Sequence, residues 1–478
     1  MIERRQFYIN GTWVDPVQGR DYAVIDPSTE EPCAIISLGG QADTDAAVAA
    51  AKAALPGWMA TPVEQRIAAL ERVLAAYRER EEDLAQAMSM AMGAPIDMSR
   101  RDQVGAGSWH LKNFITAAKA FRWEHPLGDH APNDRIIHEA VGVCALITPW
   151  NWPMNQITLK VGAALVAGNT MVLKPSEESP IDAIVFAEIM HAAGLPAGVF
   201  NLVNGDGVGV GSQLSSHTDV DMVSFTGSTR AGRLISIAAA DTLKRVHLEL
   251  GGKGANLIFA DADEKAVKRG VLHMMENTGQ SCNAPSRMLV EASVYDRVVE
   301  EAAGIAQKLE VGPASKAGRH IGPVVNASQW EKIQGLIQKG IDEGARLVAG
   351  GPGLPEGFNK GFFVRPTVFA DVTPDMTIAR EEIFGPVLSI MKFETEDEAV
   401  RIANDTPYGL TNYVQSQDGA RRNRLARVLR SGMVQMNGQG RGAGSPFGGM
   451  KMSGNGREGG SWGIHDFVEV KAVTGWAL

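Results

Sequence analysis

Between residues 140 and 250 the chain alternates short apolar runs with helical stretches, and few folds accommodate that pattern. The runs are GVCALIT (142–148), TMVLK (170–174), VFNLV (199–203), DMVSF (221–225) and RVHLEL (245–250). Helical segments separate them, at about 155–167, 180–193, 207–215 and 229–239. Runs this apolar are covered on both faces, which is the condition of a parallel strand between two helical layers. The expectation is a doubly wound α/β sheet with right-handed crossovers, whose ligands bind beyond the carboxyl ends of the strands.

A second alternation follows, through NLIF (256–259), RMLVE (287–291), ARLVAG (345–350), VLSIMKF (387–393), LTNYVQS (410–416) and MVQMN (433–437). The two runs meet at LELGGKGAN (248–256), whose three glycines suit an interdomain hinge. A chain of 478 residues is long enough for two or three domains. Upstream, TDAAVAAAKAALPGW (44–58) reads as a helix that ends at its Pro-Gly. A second helix, over 61–80, carries Thr61 as N-cap, Pro62 at N1 and Glu64 at N3, with Ile67, Leu70, Leu74 and Tyr77 on one face. A third ends near Gly93. DRIIHEAV (134–141) and the C-terminal FVEVKAV alternate as edge strands, and pairing between them across subunits is expected.

A net charge of −9 argues against a nucleic-acid binder. Cys33, Cys144 and Cys282 are too few and too scattered for a disulfide framework or a zinc site, and ten dispersed histidines suggest no metal. MIERRQFYING has no apolar core of a secretion signal, and no run approaches a membrane span. A cytoplasmic setting is the expectation.

Several residues carry the makings of chemistry, each with a plainer alternative. Cys282, in NTGQSCNAP (277–285), has small polar neighbours, as an accessible nucleophile needs; the alternative is a small buried hydrophobe. Glu249, between leucines at a strand end, fits a desolvated general base or a paired structural carboxylate. Asn151, in TPWNWP (148–153), is either a rigid oxyanion donor or a helix cap. Lys174, Ser176 and Glu177 follow a strand's carboxyl end, where they suit a ribose or form a solvated surface pair. Gly227, Ser228 and Gly232 of FTGSTRAG offer a pyrophosphate seat, and the glycines of NGDGVGVG a weaker one. EEIFGPV (381–387) and PFGGMKMSGNGRE (446–458) read first as tight turns.

The order of these pieces is more specific than any of them. PWNWP, KPSE, FTGS, LELGGK, GQSC, EEIFGPV and PFGGMKMSGNGRE succeed one another as in the aldehyde dehydrogenase superfamily, and YINGTWVD and VIDPSTEEP resemble that family's opening. Trp152, where Phe is frequent, is a small departure. The resemblance implies two Rossmann-like open-sheet domains and a small β oligomerisation element: an NAD-binding domain of 1–118 and 140–250, a catalytic domain of 251–450, and an oligomerisation element of 119–139 and 460–478.

It also implies roles. Cys282 would be the nucleophile, Glu249 the base that activates water, and Asn151 the oxyanion donor, with Lys160 and Glu458 in proton relay. Lys174, Ser176 and Glu177 would sit at the adenosine ribose, and Glu177 would favour NAD over NADP. Thr148, Pro149, Trp150, Gly207, Gly211, Phe225, Thr226, Gly227, Ser228, Leu250 and Gly251 would line the rest of the cofactor, with Lys332, Glu382 and Phe384 at the nicotinamide end. The implied reaction is NAD(P)-dependent oxidation of an aldehyde to an acid, by a homodimer or homotetramer. A coenzyme A-acylating variant, a cysteine hydrolase and a non-enzymatic binding protein are the alternatives. The pocket is expected near Gln156, Leu159, Ser281, Asn283 and 438–445, where Arg441 suits a carboxylated aldehyde, a solvated loop or a subunit contact; Trp152 and Trp462 suit aromatic or long aliphatic ones.

Overall fold

The computed structural model describes residues 1–476, and two open sheets organise them. The first runs Gly454–Asn455, Arg245–Glu249, Met222–Thr226, Val143–Ile147, Thr170–Lys174, Phe200–Leu202, Phe7–Ile9 and Thr12–Val14. The strands from Arg245–Glu249 to Phe200–Leu202 are parallel and coincide with the apolar runs of the sequence. Their two apolar faces serve two cores, because successive side chains point to opposite faces. Val143, Ala145 and Ile147 join Val223, Phe225 and Leu248 beneath the helices Gln41–Met59 and Thr229–Ala240. Cys144 and Leu146 join Met171, Leu173 and Met222 on the other face, against the helices Pro153–Ala167 and Ile181–Ala192.

From Val143–Ile147 the chain fills the sheet outward, first to one side and then to the other. That reversal opens a crevice beyond the carboxyl ends of Val143–Ile147 and Met222–Thr226, the usual ligand position in such sheets.

The second sheet runs Arg346–Ala349, Thr367–Ala370, Val387–Phe393, Arg287–Glu291, Ala255–Ile258, Thr411–Gln415 and Met433–Met436; all its pairs are parallel except the first. Thr367–Ala370 was not among the expected strands. Its four residues follow Pro366 directly and are too short for periodicity to mark.

The segment 250–254 joins the two sheets, and its glycines allow close approach. A Cβ on Gly251 would stand 2.2 Å from Glu382 Oε2, and one on Gly252 2.4 Å from the Cys282 carbonyl oxygen.

Three further expectations are corrected. The helix Gln41–Met59 runs through Pro56 instead of ending there. Thr61 does not cap the helix Val63–Glu79: Pro62 holds that position, and the Thr61 hydroxyl donates back to Gly57 O at 2.9 Å. Val468–Val473 pairs antiparallel with Ala131–Ala140 of its own chain, not across subunits, and Glu124–Gly128 completes a three-stranded sheet. The helix Gly460–Asp466 turns the C-terminal strand back onto its partner, which makes the pairing intramolecular. Residues 477–478 of the expected oligomerisation element lie outside the described residues. Among these, no helix is long and apolar enough to cross a membrane.

Candidate active site

Asn151 lies in the turn from Val143–Ile147 to Pro153–Ala167, with Pro149 and Pro153 close on either side. It is not the helix cap, a position that falls to Trp152. Its Nδ2 donates to Gln280 O at 3.0 Å, its carbonyl accepts from Asn277 Nδ2 at 2.8 Å, and Trp152 Nε1 donates to Ser281 Oγ at 2.8 Å. Gln103 Nε2 adds a bond to the same Asn151 carbonyl at 3.1 Å. The turn is thereby stitched to the segment that leads into Cys282. One N–H of the Asn151 amide serves Gln280; the amide has a second.

That segment is strained. Asn277 (φ 49°), Thr278 (φ 57°) and Gly279 (φ 72°) are left-handed in succession. For a β-branched residue this costs on the order of 1–3 kcal/mol. Packing and hydrogen bonds hold it in place. Thr278 Oγ1 donates to Gly322 O at 3.0 Å, and Gln280 Nε2 to Asn277 O at 3.1 Å. Only glycine fits at 279, where a Cβ would meet Gly385 O at 2.1 Å.

Cys282 is half-buried, packed against Leu410, Met433 and Phe447. Burial, followed by the charges of Glu382, Glu249 and Glu458, holds its thiol above the ordinary value. Glu249 ends the strand Arg245–Glu249 and is 2% exposed. Among the described residues neither of its carboxylate oxygens has a hydrogen-bond partner, so it is not a paired structural carboxylate there. Its Oε1 lies 2.5 Å from where a Cβ on Gly448 would be, beside the Phe447 that packs on Cys282. Burial, then the charge of Glu458, pushes Glu249 well above the usual carboxylate range, against the pull of Lys160 and Arg457. Behind it, Lys160 Nζ donates to Glu458 Oε1 at 2.8 Å and to Ser224 Oγ at 3.0 Å, all of them buried.

The crevice collects the expected cofactor residues. Thr148, Pro149 and Trp150 leave the end of Val143–Ile147; Thr226 ends Met222–Thr226, and Gly227 and Ser228 follow it. Ser228 caps the helix Thr229–Ala240, its Oγ accepting from Ala231 N at 3.2 Å. Lys174 is buried, its Nζ donating to Pro175 O at 2.6 Å and lying 3.5 Å from Glu177 Oε2. Gly211 packs along the Lys174 stem, and Gly207 opens the same turn. The Ser176 hydroxyl is taken by Glu178 N at 3.3 Å. Phe225 and Leu250 put their side chains into the core instead of the crevice.

At the other end, Glu382 Oε1 accepts from Gly252 N at 2.8 Å, and Lys332 Nζ donates to the Glu382 carbonyl at 2.9 Å. Phe384, at φ 61°, meets Trp150 edge-on with ring centres 5.6 Å apart. A dinucleotide fits these residues. The Thr148 and Thr226 hydroxyls are buried without a partner among the described residues, and a helix N-terminus with Gly227 and Ser228 suits a pyrophosphate.

A cavity of about 800 Å³ is lined by His273, Glu276, Asn277, Tyr413, Gln435 and Gly438 among others; Cys282, Glu249 and Asn151 are not in its wall. Gln156 and Leu159 are buried, and Ser281 is occupied by Trp152. Trp462 is 54% exposed. Arg441 is half-buried, its guanidinium 4.7 Å above the Phe447 ring, with no ion-pair partner among the described residues. Sequence reasoning missed Gln103, Asn277 and Gln280, the residues that fix Asn151. The signal was there in NTGQSC, as polar residues too numerous for a loop that turns out to be buried.

Comparisons with known proteins converge. A model described as aldehyde dehydrogenase family matches residues 13–473. The chain is 50% identical over 478 residues to a 3-succinoylsemialdehyde-pyridine dehydrogenase of a Pseudomonas species, spanning 100% of this chain and 99% of that protein. The crystal structure of an aldehyde dehydrogenase from Bartonella henselae aligns with a TM-score of 0.98 at 58% identity, over 99% of this chain and 100% of that one. A mutant aldehyde dehydrogenase from Pseudomonas syringae, complexed with NAD+ and octanal, aligns with a TM-score of 0.97 at 47% identity, over 99% and 97% of the two chains.

Proposed function

The chain belongs to the aldehyde dehydrogenase family, and from that premise we propose that it oxidises an aldehyde to a carboxylic acid through a covalent adduct on Cys282, with NAD as cofactor. One observation carries the reading: the Asn151 amide is bonded into the segment preceding Cys282, while the unpartnered Glu249 carboxylate acts on the same thiol.

The Cys282 thiol gives up its proton to solvent, the Sγ thiolate adds to the aldehyde carbon, and the C=O π pair moves to the carbonyl oxygen, which gains negative charge. The free Asn151 Nδ2–H and the Cys282 backbone N–H donate to it; losing one such donor costs about 3 kcal/mol in the barrier. NAD, when bound, supplies the hydride acceptor. Loss of hydride leaves a thioester on Cys282. Glu249 takes a proton from a water, which attacks the thioester; the C–S bond breaks and the acid leaves. Lys160 and Glu458 stand behind Glu249 to pass its proton on. Lys174 and Glu177 hold the adenosine ribose, and Glu177 repels a 2′-phosphate, which favours NAD over NADP. Glu382 holds the nicotinamide ribose.

The working protein is a cytoplasmic homodimer or homotetramer. Supporting assembly, Leu234 and Ile237 on the helix Thr229–Ala240 are 60% and 67% exposed, and Val470 on the C-terminal strand is 64% exposed. Light scattering that gives a monomer mass would end that reading. Cys282→Ala should form no NADH from any aldehyde while binding NAD normally; aldehyde oxidation retained by this variant would overturn the nucleophile assignment.

A further inference from the structure

One face of the first sheet carries an unusual run of buried polar side chains. Parallel pairing sets Ser224 opposite His247 and Thr226 opposite Glu249. Period-two alternation puts these four on the face toward the helix Pro153–Ala167, while Val223, Phe225 and Leu248 fill the core on the other. All four are at most 6% exposed. Several of their atoms have no hydrogen-bond partner among the described residues: His247 Nε2, Thr226 Oγ1 and both Glu249 oxygens. Buried polar atoms rarely stay unpaired without a functional reason.

The hydrogen bonds that are made suit the His247 tautomer that carries its hydrogen on Nε2. An ammonium only donates, so Lys160 Nζ, at 3.0 Å, gives a proton to Ser224 Oγ. The Ser224 hydroxyl is then free to donate to His247 Nδ1 at 3.1 Å. That leaves the hydrogen on Nε2, which lies 3.7 Å from Glu249 Oε1 and 3.7 Å from Asp466 Oδ2. The distance is too long for a hydrogen bond, and a carboxylate movement of about 1 Å closes it. Asp466 Oδ2 already accepts from Arg457 N at 2.6 Å, so Glu249 is the acceptor in need. Burial, then the positive charges of Lys160 and Arg457, keeps the ring well below its ordinary pKa and therefore neutral. The charged groups facing this cluster are Lys160, Glu458, Arg457, Asp466 and Glu249.

We propose that His247 is a positioning residue for Glu249: its Nε2–H steadies the ionised carboxylate, and Ser224 ties the ring to the Lys160–Glu458 pair. The inference rests on Glu249 acting as the base that resolves the Cys282 thioester. A neutral donor favours the ionised form of the carboxylate it reaches. His247 thus lets a deeply buried acid serve as a base nearer neutral pH.

The test uses the full-length enzyme with His247→Ala, His247→Gln and Ser224→Ala, each checked by thermal melting and NAD titration. Two probes separate acylation from thioester hydrolysis: the NADH burst with an aldehyde, and the nitrophenolate burst with 4-nitrophenyl acetate in the absence of cofactor. His247→Ala should keep both burst amplitudes, lower the steady-state rate about tenfold, and move the acidic limb of its pH profile up by about one unit. His247→Gln, which retains an N–H, should recover most of the rate. Ser224→Ala should shift the limb in the same direction, and it carries the test if His247→Ala does not fold. An unmoved limb, or burst and steady state slowed equally, would overturn the proposal. A wild type that shows the ester burst and a His247-dependent steady-state ester turnover but forms no NADH would overturn the dehydrogenase reading alone.

Discussion

Gly251 and Gly252 are adjacent yet guard different partners, so alanine at each should produce a different kinetic defect. Neither glycine has the positive φ that would itself penalise alanine, so the contacts decide. At 252 the new Cβ would stand 2.4 Å from the Cys282 carbonyl oxygen, where real Cβ atoms keep at least 3.0 Å. The obstacle is backbone, so one segment must move by at least about 0.6 Å, and the segment is the one carrying the nucleophile. Misplacement approaching 1 Å costs on the order of a hundredfold in rate. Overpacking adds about 1–3 kcal/mol of instability. At 251 the Cβ would stand 2.2 Å from Glu382 Oε2, a side-chain atom that can swing away at the expense of its bond to Gly252 N. Losing a charge-assisted bond there should weaken NAD binding about tenfold to a hundredfold. Gly252→Ala should therefore lose kcat and the rapid NADH burst while its NAD affinity stays near normal. Gly251→Ala should raise the NAD KM and dissociation constant while keeping most of kcat at saturation. Stopped-flow NADH formation and calorimetric NAD titration read both quantities. Full kcat in Gly252→Ala, or a single shared signature, would refute the close-approach argument.

Other outcomes follow from the buried carboxyl groups and the substrate side. Glu249→Gln should release one NADH per site and then stall, because the thioester forms but no base activates water. In the wild type the hydrolytic step needs Glu249 ionised, so turnover should fall as pH drops through a value well above the ordinary 4.5; an acidic limb at 4.5 would exclude Glu249 as the base. Burial pushes Asp182 up to about 7, with Ser179 Oγ on one oxygen at 2.7 Å and the other unpartnered. The native state thus keeps a proton that the unfolded chain releases between about pH 4 and 7, and stability falls as pH rises across that window. Asp182→Asn should be more stable than wild type by a few kcal/mol at about pH 8 and near equal at about pH 4; melting curves with the same difference at both would contradict this. Arg441→Met should lower kcat/KM about tenfold for aldehydes with a distant carboxylate or carbonyl, and leave short aliphatic aldehydes unchanged; equal loss across such a panel would remove Arg441 from substrate recognition.

The sequence disclosed the sheets because parallel strands are apolar on both faces, and runs such as TMVLK have no other economical reading. It disclosed where Lys174, Ser228 and Glu249 stand because each follows or ends such a run. Local rules failed where a distant group competed. Thr61 has the chemistry of a cap, but its hydroxyl finds the carbonyl of the preceding helical turn first. Pro56 sits late in its helix, and the chain carries the helix past it to Met59. The partners of Asn151 and His247 lie far off in sequence, at Gln280, Asn277 and Ser224, and no spacing announces such pairs. Polar letters at strand positions, as in VSFT beside VHLE, were the available clue. Their meaning depends on the register between two strands, which only the fold supplies.

The segment 250–254 has a consequence for anyone re-engineering the polypeptide. Its backbone is gripped from several directions: Leu250 N by Ser453 O at 3.0 Å, Gly252 N by Glu382, and Gly254 O by Arg287 N at 3.1 Å. One inserted residue would slip the next strand by a position and exchange Leu257 and Ile258 between the cores above and below it. Permuted termini, tags and split-fragment junctions therefore belong elsewhere. Loops at the surface can change length without disturbing either core, whereas the join between the two halves cannot.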